Sequence, residues 1–155
     1  MTARGATLLS EDFESWPPTG WTIVNESGGA GVWESSATTG RDNFTGGSGE
    51  CADADSDNAG GAMDTSLITP VLDLQGKTDP TLSFRYHFND YNNQDDGYVD
   101  VSTNGGGTWH TILHFEKADF PGPAQTNLSL NAFGSSSNVT IRFRYVALGW
   151  DWYWE

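Results

Sequence analysis

The chain has 155 residues, a size that suits one domain with a buried core. Seven Lys and Arg stand against 21 Asp and Glu, a formal net charge of −14. That balance repels phosphate backbones and anionic lipid surfaces, so neither nucleic acid nor membrane insertion is expected, while oxygen-seeking cations such as calcium suit it. Cys51 is the only cysteine, so an internal disulfide and a thiolate zinc cluster are both excluded.

In chain order, Thr7-Leu8-Leu9 leading into Glu11-Asp12-Phe13-Glu14 reads as a first strand, and Trp16-Pro17-Pro18-Thr19-Gly20 as a turn. Gly20–Val24 reads as a second strand, and Val32-Trp33-Glu34 follows a Gly-rich break. Thr38 to Gly49 is polar and Gly-rich enough for a long surface loop, a length that raises a functional question. Asp53, Asp55 and Asp57 share one face if their segment is extended. Ser66–Leu74 is a strand interrupted by Pro70.

Thr81–Phe88 carries the clearest alternation, with Leu82, Phe84, Tyr86 and Phe88 on one face and Ser83, Arg85 and His87 on the other. Val139–Tyr145 is its companion. Tyr98–Ser102 and Trp109–Phe115 flank an Asn104-Gly105 turn and read as a hairpin. Gln125–Phe133 supplies a further strand, and Trp150, Trp152 and Trp154 share one face of a last one. No window shows helical periodicity. Roughly ten short strands without a repeat of about 20 to 50 residues predict an all-β fold, an antiparallel β-sandwich that is jelly-roll-like.

Three groups of residues bear on chemistry. Asp53, Asp55 and Asp57, joined by Glu14, offer hard oxygen ligands for calcium, although the run does not match an EF-hand loop. The alternative is a solvated acidic edge that discourages sheet aggregation. His110 and His114, four residues apart in a strand, stand about 13 Å apart, too far to share a zinc ion. His87 has no adjacent nucleophile, so no catalytic residues are assigned and the chain is not expected to be an enzyme. Trp33, Tyr91, Asn92 and Asn93 are the candidates for a glycan platform, because loop aromatics beside amides stack on and hydrogen-bond sugars.

Ser102-Thr103-Asn104-Gly105-Gly106-Gly107-Thr108-Trp109 resembles the Asp-box hairpin of sialidases and other β proteins, a non-catalytic turn, with Asn104 in place of the Asp. An ordered set of segments covers nearly the whole chain: Glu11-Asp12-Phe13-Glu14, Pro18-Thr19-Gly20-Trp21-Thr22, Ala54-Asp55-Ser56-Asp57, Leu67–Leu74, Leu82–Tyr86, Val101–Gly106, Ile141–Tyr145 and Trp152–Glu155. This set resembles the MAM-like jelly-roll superfamily, specifically the bacterial cleaved-adhesin and choice-of-anchor J domains of secreted peptidases and surface proteins. The resemblance implies a non-catalytic, often calcium-stabilised sandwich mediating adhesion, with Glu14, Asp55 and Asp57 as the metal ligands. It also implies that the usual Ile-Asp-Asp-Val continuation lies beyond Glu155.

The resulting expectation is a single sandwich domain, residues 1–155, excised from a larger secreted or cell-surface protein and cut near its last strand. It would be an accessory module binding a glycan or an extracellular protein surface, braced by structural calcium and adjoining other domains of its parent chain. The rivals are a purely structural spacer of a secreted peptidase and a small glycoside hydrolase or lyase.

Overall fold

The computed structural model describes residues 6–29, 31–91, 93–150 and 152–155. Among them run ten strands: β1 (Thr22–Asn25), β2 (Glu34–Ser35), β3 (Ala52–Asp55), β4 (Met63–Ile68), β5 (Thr81–Asp90), β6 (Asp96–Ser102), β7 (His110–Glu116), β8 (Phe120–Ser129), β9 (Thr140–Ala147) and β10 (Trp152–Trp154). They form two five-stranded antiparallel sheets, ordered β1-β4-β9-β6-β7 and β2-β3-β10-β5-β8. Two single-turn helices, α1 (Ser36–Thr39) and α2 (Ser56–Ala59), and a 3-10 turn at Asn131–Phe133 complete the regular structure. The all-β sandwich expected from the alternation of the sequence is the architecture observed.

The core is an aromatic layer between the sheets. Leu82, Phe84, Tyr86 and Phe88 of β5 all join it, as the period-2 pattern requires. Phe84 meets Phe143 of β9 edge-on at 5.2 Å, so the two strongest strand patterns face each other from opposite sheets. Trp154 is 1% exposed and packs against Trp33, Phe88, Phe115 and Phe143. Large aromatics in such edge-on contacts supply both buried area and orientation. Gly97 of β6 makes one close approach possible: a Cβ there would lie 2.8 Å from the Phe88 ring.

Several segments depart from the sequence reading. Thr7–Glu14 forms no strand, because Glu11 and Asp12 turn their carboxylates onto the backbone N–H groups of Phe13 and Glu14. Such local side-chain bonds compete with a sheet ladder. Asp57 leaves the extended face that holds Asp53 and Asp55, since Asp55 caps α2 by accepting from Asn58 N and Asp57 falls in its first turn. The hairpin between β6 and β7 forms as expected: Asn104 Oδ1 accepts from Thr108 N at 2.9 Å, the bond an Asp would make there.

Candidate functional site

Residues 36–50 lie as a strap across the outer face of the second sheet. Thr39 donates to Asp53, Arg41 pairs with Asp55, the Phe44 N–H donates to Glu155, and the Gly46 carbonyl accepts from Arg85. Phe44 and His87 lie against Tyr153, the His87 ring stacked on it at 5.3 Å. The expected long loop exists, but it is a fastened cover rather than a free surface segment.

Beneath the strap lies a buried acidic group. Asp53 is fully buried, with one oxygen on the Thr39 hydroxyl and the other without a partner. Burial pushes its carboxyl up to about 8, against the Thr39 bond and with help from Asp55 and Glu155. Burial likewise raises Glu155 to about 7 and the Cys51 thiol to about 12, which leaves that thiol unreactive. Arg41 is the counter-charge of the group. Its Nε and Nη2 reach Asp55 at 2.5 and 3.2 Å, Nη2 reaches Asp57 at 3.2 Å, and its plane lies 3.8 Å over the Tyr153 ring.

The residues expected to ligate calcium have protein partners in this structure. Glu14 accepts instead from the Glu50 N–H at 3.1 Å, and its carboxylate occupies the space a Cβ on Gly49 would need. Asp53, Asp55 and Asp57 are engaged by Thr39 and Arg41. Among the described residues no group of three His, Cys, Asp or Glu is arranged to hold a metal ion. In this structure Asp55 and Asp57 share the Arg41 guanidinium, while Asp53 and Glu14 bond to the Thr39 hydroxyl and the Glu50 N–H.

The aromatic candidates divide. Trp33, expected on a ligand platform, is 3% exposed and packs edge-on against Trp154 at 5.2 Å, so its indole is a core wall. Trp154 joins it there. Tyr91 is 67% and Trp150 71% exposed. Trp152 does not share the face of Trp154: its φ of 125° is a conformation that side-chain-bearing residues rarely adopt, and its indole meets Tyr91 edge-on at 6.0 Å. The Ser56 hydroxyl donates to the Trp152 carbonyl at 3.0 Å and helps hold this backbone in place. Asn93 is exposed, in the left-handed conformation that Asn tolerates, while Asn92 lies outside the described residues. Register explains the meeting of Tyr91 and Trp152, since β10 pairs with the end of β5 through Trp152 and Asp90.

Two of the three histidines, His87 and His114, are held by hydrogen bonds or ion pairing. His87 Nδ1 accepts the Gly122 N–H at 2.8 Å, and burial lowers the ring's affinity for a proton. His114 Nε2 sits 2.7 Å from Asp96, with the ring stacked on Tyr98. Arg142 and Arg144, on the outer face of the first sheet, pair with Asp100 and Asp64.

Fold and surface together define a β-sandwich of two five-stranded sheets, strapped on one outer face and carrying exposed aromatics at one end. The chain is similar in structure to the cleaved adhesin domain of Lys-gingipain from Porphyromonas gingivalis, with a TM-score of 0.68 and 24% sequence identity over 96% of this chain and 94% of that one. No family model and no curated protein sequence matches it.

Proposed function

We propose that the chain is a non-catalytic accessory module of an extracellular protein, which binds a glycan at the end of the sandwich formed by Tyr91, Asn93, Trp150 and Trp152. The observation that carries this reading is the exposed Tyr91 set edge-on at 6.0 Å against a Trp152 held at φ 125°, with Trp150 exposed two residues before it. Strained backbone persists where surrounding contacts impose it, and it clusters at ligand sites. Aromatic faces stack on the C–H faces of sugar rings, and the exposed Asn93, two residues after Tyr91, carries an amide that offers donors and an acceptor to hydroxyl groups. The likeness in fold to a domain named as a cleaved adhesin domain supports an adhesive rather than a catalytic role. Calcium forms no part of the proposed site.

An immobilised panel of polysaccharides and matrix glycans tests the proposal. Binding to at least one glycan, abolished by Tyr91→Ala with the melting temperature unchanged, is the expected result. Absence of binding across the panel would leave the spacer reading, and release of a shortened sugar product would establish the hydrolase or lyase reading.

A further inference from the structure

The hairpin between β6 and β7 bears a reactive pair of residues. Its turn runs through Asn104-Gly105-Gly106-Gly107, the one place in the sequence where an asparagine precedes a glycine. Gly105 and Gly106 hold φ of 69° and 88°, the left-handed conformation that this tight turn demands. Consecutive glycines leave the backbone amides beside Asn104 without side-chain cover, and Asn104, Gly105 and Gly107 are all exposed. A Cβ placed on Gly105 would meet nothing closer than Asn138 Nδ2 at 3.9 Å.

The Asn104 side chain is held as an electrophile. Its Oδ1 accepts from the Thr108 N–H at 2.9 Å and from the Ser102 hydroxyl at 2.9 Å, while Nδ2 donates to the Thr108 hydroxyl at 3.1 Å. Two donors on one carbonyl oxygen draw electron density from Cγ and stabilise the oxyanion that forms when a nucleophile adds there. The nearest nucleophile is the next backbone nitrogen. Asn104 N and Gly106 N both donate to Ser102 Oγ, at 3.2 and 2.9 Å, whereas the Gly105 N–H between them has no hydrogen-bond partner among the described residues.

We propose that Asn104 is a site of spontaneous deamidation in the folded chain, with water as the co-reactant, and that the hairpin accepts the aspartate it yields. Hydroxide takes the Gly105 amide proton, and the nitrogen adds to Asn104 Cγ to close a cyclic imide. As the Cγ–Nδ2 bond breaks, Nδ2 leaves as ammonia with a proton from water, which restores the hydroxide. Water then opens the imide. Cleavage at Cγ gives aspartate, and cleavage at the main-chain carbonyl gives isoaspartate, in which the chain runs through the former side chain. The net reaction turns an amide and a water into a carboxylate and an ammonium ion.

The two products meet the turn differently. An aspartate keeps the bonds from the Thr108 N–H and the Ser102 hydroxyl, now to a charged acceptor, and the Thr108 hydroxyl turns from accepting to donating. The turn loses no partner. An isoaspartate lengthens the main chain between Ser102 and Thr108 and draws its carboxylate off these donors. Trp109 registers that change, because its ring lies 3.3 Å from the Cβ position of Gly106 and stacks with the Arg142 guanidinium at 4.4 Å.

The test is prolonged incubation of the intact chain at mildly alkaline pH, in buffer and in urea, followed by peptide mapping by mass spectrometry and labelling with an isoaspartyl methyltransferase. The mass gain of an amide becoming an acid is expected in the fragment holding Asn104 ahead of every other asparagine, in the folded as in the unfolded chain. Labelled isoaspartate at that position marks the cyclic imide, since direct hydrolysis yields aspartate alone. A second Trp109 indole resonance should grow in step with the label. Asn104→Asp should melt no lower than the native chain. No gain at Asn104 in buffer, an earlier gain at another asparagine, or an absence of isoaspartate would overturn the assignment of the site. A lower melting temperature for Asn104→Asp would overturn the claim about its product.

Discussion

Replacing Arg41 by Met tests the structural account at its most charged point. The substitution keeps an unbranched side chain over Tyr153 but removes both bonds to Asp55, whose side chain is 1% exposed. Taking one partner from a buried pair costs about 3–5 kcal/mol, because the remaining carboxylate is left buried and unpaired. Asp55 retains its bond from the Asn58 N–H at 2.8 Å, which places the expected loss near the lower end, about 3 kcal/mol. For a chain of this length each kcal/mol moves the melting temperature by about 2–4 °C, so the variant should melt roughly 6–12 °C lower. A double-mutant cycle measured by urea unfolding isolates the pair. Asp55→Asn should be destabilising in the native background and neutral or stabilising with Arg41→Met, since Asn still caps the helix. A loss below about 1 kcal/mol, the size of an exposed pair, or additive effects of the two changes, would refute the role given to Arg41.

Other outcomes follow from the same geometry. Asp53 has its carboxyl raised from 3.8 to about 8, so the folded state holds a proton that the unfolded state releases. Stability from this group is full below about pH 4, declines as pH rises, and is lost above about 8; Asp53→Asn should flatten the fall in melting temperature between pH 5 and 8. Trp33→Ala should cost about 3–5 kcal/mol by opening the core, while Tyr91→Ala leaves the urea midpoint unchanged. Asp57→Asn should leave any response of the melting temperature to calcium or chelator as it is in the native chain. A response that this substitution abolishes would restore the acidic run as a cation site.

The sandwich was legible wherever one face of a strand is buried, because alternation in β5 and in Ile141, Phe143 and Tyr145 encodes which way each side chain points. What misled was local chemistry acting against periodicity. Glu11 and Asp12 bind nearby backbone and dissolve an apparent strand, and Asp55 starts a helix that carries Asp57 away from its neighbours. The tryptophans of the last strand read as one face because alternation assumes extended backbone throughout, and the φ of 125° at Trp152 breaks it. Tyr91 and Asn93 were legible as exposed loop residues, but Trp33 was not legible as core, since it precedes a strand of two residues, too short to carry periodicity. Arg41 left no signal at all. Its role depends on a strap returning across the sheet to meet Asp55, fourteen residues away in sequence.

The glycan reading is tested most directly by following the indole N–H resonances of the seven tryptophans during titration with a glycan from the panel. The account predicts that the Trp150 and Trp152 signals move in a saturable way, while those of the core residues Trp33 and Trp154 stay fixed. Movement confined to Trp109, which lies against Arg142 of the first sheet, or no movement of Trp150 and Trp152 at saturating glycan, would contradict it.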